Sequence, residues 1–91
     1  MAEFKPLARQ NEVVIQEMGD EILIYDLKTD QAFALNTTSS MVWQFCDGKN
    51  SIAEIAAKMS ALTGEIISED IIWLALDGLK KQKLIENEIE T

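Results

Sequence analysis

The spacing of apolar residues changes at Asn36, from the alternation typical of strands to the three- and four-residue spacing of helices. The chain before it carries two stretches rich in Val, Ile, Leu and Tyr, residues 12–18 and 21–27. The dipeptide Gly19-Asp20 between them suits a type II′ hairpin turn, so these stretches should pair antiparallel. A short apolar stretch over residues 31–35 adds a third strand. The first part of the chain is therefore predicted to be a three-stranded meander.

Three helices should follow the meander, and capping residues mark the expected start of each. The polar side chains of residues 36–39 precede the first helix. Ser51 and Glu54 form a capping box for the second, which should end at Gly64. Ser68 is the expected N-cap of the third. A three-stranded antiparallel meander followed by three helices is an α+β fold of winged helix-turn-helix type, in which the helices cover one face of the sheet.

The length of the chain allows one domain, which we place at residues 12–86. Residues 1–11 are expected to be a flexible N-terminus, and residues 87–91 an acidic tail. No apolar run is long enough to span a bilayer, and residues 1–10 lack the apolar stretch of a signal peptide. Cys46 is the only cysteine, which suits a reducing compartment. A cytoplasmic protein is the simplest expectation.

The residue types argue against catalysis by this chain alone. It has no histidine, the commonest general base and metal ligand, and one cysteine cannot build a zinc or iron–sulfur site. The four glycines are too scattered for a phosphate-binding loop. The sixteen carboxylates fall mostly at caps, turns and the tail, as expected of a solvated surface. We therefore expect no cofactor, no metal and no enzymatic activity.

The net charge of −8 indicates which partners the chain can attract. It repels polyanions, so neither nucleic acid nor an anionic membrane is expected to bind. The third helix, which in a DNA-binding winged helix would be basic, begins with Ser68-Glu69-Asp70 and carries Asp77. A neutral or basic peptide is the better partner.

Two surfaces are not explained by core formation. The third strand, residues 31–35, lies at an edge of the meander and has no proline or charge to prevent another strand from pairing with it. On the third helix, Trp73 and Leu74 lie beside the apolar stripe and could form an anchor pocket for a peptide side chain. The alternatives are that a loop or the tail covers the edge, and that Trp73 packs under the first helix near Trp43.

The sequence resembles the PqqD-like family and the wider group of RiPP recognition elements, over residues 12–86. The resemblance rests on the order and spacing of short segments rather than on any one of them. These are Tyr25-Asp26-Leu27, Ala32-Phe33-Ala34-Leu35-Asn36, Val42-Trp43, Asp47-Gly48, Ser51-Ile52-Ala53-Glu54-Ile55-Ala56, Asp70-Ile71, Leu76, Leu79 and Leu84-Ile85. The chain departs from the family at Lys83, where a glycine often precedes the closing Leu-Ile pair.

The resemblance implies a peptide-binding module that takes the leader of a ribosomally made precursor as an added strand and presents it to a separate modifying enzyme, such as a radical SAM enzyme. The product, the quinone PQQ or another, is left open. The same strand edge could instead support self-association, and a homodimer is not ruled out by the sequence. The peptide-binding residues implied are Ala32, Phe33, Ala34 and Leu35 on the strand, and Asp70, Trp73, Leu74, Asp77 and Lys81 on the third helix.

Overall fold

The computed structural model describes residues 3–87, which form three strands followed by three helices. This order confirms the predicted α+β arrangement. No helix within the described residues is long and apolar enough to cross a membrane. The elements are β1 (Val13–Met18), β2 (Glu21–Asp26), β3 (Gln31–Leu35), α1 (Thr37–Phe45), α2 (Ile52–Thr63) and α3 (Glu69–Lys81).

The sheet is an antiparallel meander in the order β1-β2-β3, so β1 and β3 are both edge strands. The pair Met18 and Glu21 closes the first hairpin, leaving Gly19 and Asp20 as its turn. Gly19 has φ of 67°, a left-handed conformation that suits glycine and that the first position of a type II′ turn requires. The predicted hairpin is confirmed.

The helix starts follow the predicted caps, with one difference. The side chain of Asn36 accepts a hydrogen bond from the Ser39 amide at 2.8 Å. At the start of α2, the side chains of Ser51 and Glu54 each accept from the other's amide, the reciprocal bonds of a capping box. Ser68 occupies the N-cap of α3, but its side chain makes no capping hydrogen bond. The dipole of α3 is still matched by acidic residues in its first turn.

The core lies between the helices and the inner face of β2 and β3. On this face Ile22 pairs with Leu35, and Ile24 pairs with the half-buried Phe33. α3 contributes Ile72, Leu76 and Leu79, and all three are buried. The helices do not reach across the whole sheet, because α1 contacts β2 and β3 whereas none of the helices packs on β1. β1 therefore contributes only its first residue, the half-buried Val13, to the edge of the core.

Cys46, at the end of α1, is buried in the core. Burial raises the pKa of its thiol to about 12, with a smaller contribution from the carboxylate of Asp47. Its side chain is thus a small apolar group of the core.

The N-terminal segment differs from the flexible one expected over residues 1–11. Pro6 and Ala8 are buried, and the Ala8 amide donates to the Cys46 carbonyl at 2.7 Å. On its other side the segment pairs with the end of the chain, since the Arg9 amide donates to the Leu84 carbonyl at 2.8 Å. This packing could not be predicted from the sequence, because the partners of the segment are far away in the chain and the contacts are isolated bridges without a strand pattern. Residues 1 and 2 lie outside the described residues.

The turn that terminates α3 directs residues 84–87 back toward the N-terminal segment. The Leu84 amide donates to the Leu79 carbonyl and the Lys83 amide to the Lys80 carbonyl, the two bonds of a Schellman motif. Lys83 has φ of 61°, which explains why glycine suits this position. Asn87, the first residue of the predicted acidic tail, bonds through its side chain to the backbone of Lys5 and Leu7. Residues 88–91 lie outside the described residues.

Candidate functional site

The outer edge of β3 is open within the described residues. β3 pairs only with β2, and no segment of residues 3–87 pairs with its other side. Its side chains alternate, with Phe33 and Leu35 turned to the core and Ala32 and Ala34 exposed on the outer face. Small side chains on one face allow another strand to approach closely, and an unpaired edge offers it backbone donors and acceptors.

A groove adjoins this edge where the end of β3 and the start of α1 face α3. It consists of two neighbouring hollows of about 230 and 260 Å³, which share Leu74 and Ala75. We call it the β3–α3 groove. Its lining residues are Ala34, Leu35, Asn36, Thr38 and Ser39 on one side and Ile71, Leu74, Ala75, Gly78, Leu79 and Gln82 on the other.

The lining of the β3–α3 groove carries no charged side chain, although a quarter of the chain's residues are charged. Its lining combines aliphatic side chains with polar groups, among them those of Asn36, Thr38, Ser39 and Gln82. Leu74 is 75% exposed although it is a large apolar residue in the middle of a helix. A surface of this kind favours apolar side chains and amide groups over charged ones.

Gly78 stands on the α3 side of this groove, in the interior of a helix. Glycine there costs about 1 kcal/mol relative to alanine, so close packing against a neighbour would be the usual explanation. The structure offers none, because a methyl group built on Gly78 would meet no atom within 4 Å. The missing side chain therefore leaves empty space in the groove instead of admitting another part of the protein.

The opposite flank of α3 holds Trp73 and Asp77, away from β3. The ring of Trp73 stacks on Phe4 of the N-terminal segment, with centroids 5.9 Å apart and planes 13° from parallel. This contact replaces the proximity to Trp43 considered from the sequence. Trp73 and Asp77 line a smaller hollow of about 140 Å³ with Phe4, Leu76, Lys80 and Ile85. Trp73 thus contributes to a second surface, separate from the β3–α3 groove.

The nine residues predicted to bind peptide are therefore divided between several places. Leu74 joins Ala34 and Leu35 around the β3–α3 groove, and Ala32 and Phe33 continue the strand edge that leads to it. Lys81 forms an exposed ion pair with Asp77 at 3.0 Å. Asp70 is exposed in the first turn of α3.

The sequence reasoning missed most of the helical wall of the groove. Ile71, Ala75, Gly78 and Gln82 recur at intervals of four, three and four residues, so they share one flank of α3. That periodicity is visible in the sequence. It does not say which of the two flanks beside the core stripe faces β3.

The described residues contain no group of three or more His, Cys, Asp or Glu side chains placed to hold a metal ion. The groove in particular has neither a carboxylate nor a thiol among its lining residues. The lining offers backbone hydrogen-bonding groups along β3 and aliphatic side chains along α3.

Comparison with known proteins gives one family and one similar structure. The family model described as coenzyme PQQ synthesis protein D matches residues 21–85, which include β2, β3 and all three helices. A solved structure described as TbiB1 in complex with the TbiA(beta) leader peptide matches with a TM-score of 0.73. The match covers 92% of this chain and 99% of that one at 19% identity, which shows a shared fold. A search of curated proteins found no match.

Proposed function

This chain belongs to the family of coenzyme PQQ synthesis protein D, and from that premise we propose that it binds the leader segment of a ribosomally made precursor peptide and catalyses nothing itself. The leader pairs with the outer edge of β3 as an added strand and places its apolar side chains in the β3–α3 groove. The observation that carries the proposal is the open edge of β3 beside an uncharged, unfilled groove. That TbiB1 was solved with a leader peptide supports it.

Backbone pairing alone is too weak to hold the complex. A strand added along the five residues of β3 makes about four hydrogen bonds, each contributing roughly 0.5 to 1.5 kcal/mol. Association costs roughly 4 to 15 kcal/mol, and a disordered leader must also be ordered. Apolar leader side chains buried in the groove, at roughly 1.5 to 3 kcal/mol each, must supply the difference. The groove is therefore as necessary as the edge.

The binding residues we propose differ in part from those expected from the sequence. We keep Ala32, Phe33, Ala34, Leu35 and Leu74. To these we add the rest of the groove flank of α3, Ile71, Ala75, Gly78 and Gln82, because they line the same hollows as Leu74. We assign Asp70, Trp73, Asp77 and Lys81 no contact with the paired strand.

The role of the complex is that of a scaffold. With the leader held at β3, the rest of the precursor is tethered near whatever enzyme this chain also contacts, and its effective concentration at that active site rises. The partner is a separate modifying enzyme, for which a radical SAM enzyme is the type we propose. Binding at one surface and docking at another requires no catalytic group in this chain.

The test is an NMR titration of the 15N-labelled protein with a synthetic peptide. The peptide is the leader of the short precursor encoded in the same gene cluster, and its control is a scrambled peptide of the same composition. We expect shifts at Ala32–Leu35 and at Leu74, Ala75, Gly78 and Gln82, with a dissociation constant in the micromolar range. The proposal fails if no residue shifts up to millimolar peptide, or if the shifts centre on Phe4, Trp73 and Asp77.

A further inference from the structure

β1 exposes apolar side chains that do not pack against any helix. Its only neighbour among the elements is β2, and no helix covers its inner face. Val14 and Met18 on the outer face are 53% and 57% exposed, and Ile15 on the inner face is 36% exposed. Its outer edge is also unpaired within the described residues. Exposed apolar side chains along a free strand edge are typical of an interaction surface.

The apolar residues of β1 are surrounded by negative charge. Residues 12–21 contain Glu12, Glu17, Asp20 and Glu21 and no lysine or arginine. None of these four carboxylates forms an ion pair among the described residues, although Glu12 lines a hollow together with Arg9, Lys28 and Lys83. The surface is therefore an apolar strip with an acidic rim, unlike the uncharged β3–α3 groove. We call it the β1 surface.

We infer that the β1 surface docks the modifying enzyme, through a patch on that enzyme in which apolar side chains are bordered by lysine and arginine. This inference rests on the proposed function. Complementary charge steers such partners together and suppresses wrong ones. A second copy of this chain is a poor occupant, because pairing β1 with β1 would bring two sets of four carboxylates together.

The geometry allows both partners to bind at once. β1 and β3 are opposite edges of a three-stranded sheet, separated by β2, so their outer edges face away from each other. The two edge strands lie only about 10 Å apart at ordinary strand spacing. An enzyme on the β1 surface would thus sit beside the bound leader without covering it.

Two variants separate docking from leader binding. Glu17→Lys reverses a charge of the rim at an exposed position, and Val14→Thr with Met18→Thr removes apolar surface while keeping residues suited to a strand. The control is Glu65→Lys, the same charge change on the exposed loop between α2 and α3. Circular dichroism verifies that each variant is folded.

Binding is measured by calorimetry against the purified modifying enzyme of the same gene cluster, and separately against the synthetic leader peptide. We expect both β1 variants to weaken enzyme binding at least tenfold, and Glu65→Lys to change it less than twofold. Raising NaCl from about 50 to 300 mM should weaken enzyme binding by the wild-type chain severalfold, because the rim is exposed. Leader affinity should stay within twofold throughout.

Three results would overturn the docking inference. The first is that the β1 variants bind the enzyme as tightly as the wild-type chain, and the second is that the wild-type chain does not bind the enzyme. The third is that the wild-type chain self-associates, so that its mass in solution rises with concentration, whereas the Val14→Thr, Met18→Thr variant stays monomeric. In each case the leader titration stands as a separate result. A failure of docking is thereby distinguished from a failure of the proposed function.

Discussion

The guanidinium of Arg9 forms two hydrogen bonds to the carboxylate of Asp26, at 2.8 and 3.1 Å. Asp26 ends β2, and its carboxylate also accepts from the Lys28 amide at 2.9 Å. Arg9 belongs to the N-terminal segment, whose backbone bonds to the turn after α3. This one ion pair therefore fastens the N-terminal segment to the sheet, close to where that segment bonds to Leu84.

The ion pair predicts how stability depends on pH. The hydrogen bonds from Arg9 lower the pKa of Asp26 from 3.8 to about 2. A carboxylate with a depressed pKa contributes stability that is fully present above its unfolded value and is lost as the pH falls through its folded value. Asp26→Asn should therefore lower the urea midpoint at pH 7 and do so much less at pH 2.5. Asp77→Asn, which removes the exposed ion pair with Lys81, is the control. If Asp26→Asn lowered the midpoint equally at both pH values, the lowered pKa of Asp26 would be refuted.

Lys83 adopts a conformation that glycine tolerates better. Lys83→Gly should raise the free energy of unfolding by about 1 kcal/mol, because it removes the strain of a left-handed non-glycine residue. Loss of stability in Lys83→Gly would mean that the lysine side chain makes a stabilising contact.

Gly64 has φ of 73° at the end of α2, so Gly64→Ala should lower the free energy of unfolding by about 1 kcal/mol. Urea unfolding measures the effects of both substitutions.

Leu74 and Trp73 are neighbours in sequence on different flanks of α3. Leu74→Ala should weaken leader binding about tenfold with little effect on stability, because Leu74 is largely exposed and lines the groove. Trp73→Ala should leave leader affinity within about twofold but cost about 1 to 2 kcal/mol of stability, since it removes the stack on Phe4. Calorimetry and urea unfolding distinguish the two. The reverse pattern would place the binding site on the Trp73 flank.

A larger side chain at Gly78 should raise the stability of the protein and lower its affinity for the leader. Gly78→Leu should stabilise α3 by roughly 0.5 to 1 kcal/mol through helix propensity, because a Cβ at this position meets no neighbouring atom within 4 Å. The same side chain would fill the β3–α3 groove, so leader affinity should fall at least tenfold. Ala57→Leu, on the exposed side of α2, is the matched control and should not change leader affinity. A Gly78→Leu variant that binds as tightly as the wild type would show that the groove is not used.

The thiol of Cys46 should be unreactive in the folded protein. Burial raises its pKa to about 12, so little thiolate exists at pH 8 and reagents have no access to it. Labelling with iodoacetamide should be at least a hundredfold slower in buffer than in 6 M guanidinium. Rapid labelling without denaturant would indicate that the end of α1 opens readily.

Local sequence signals determined nearly all of the secondary structure. The hairpin turn at Gly19, the Asn36 cap and the capping box of Ser51 and Glu54 each act over two to four residues, so the elements they bound could be predicted. The buried stripe of α3 also follows from its spacing alone. The open edge of β3 followed from the order of strands in a meander.

The tertiary structure decided how these elements are placed together. α3 has one core stripe with a flank on either side, and both flanks carry apolar residues, Leu74 on one and Trp73 on the other. Which flank faces β3 depends on how α3 packs against α1 and α2, and those contacts join residues far apart in the chain. The packing of Pro6 and Ala8 is decided in the same way, by partners near residues 46 and 85. Local periodicity carries no information about such long-range contacts, so the chain's sequence specified the open edge of β3 but not the helix flank beside it.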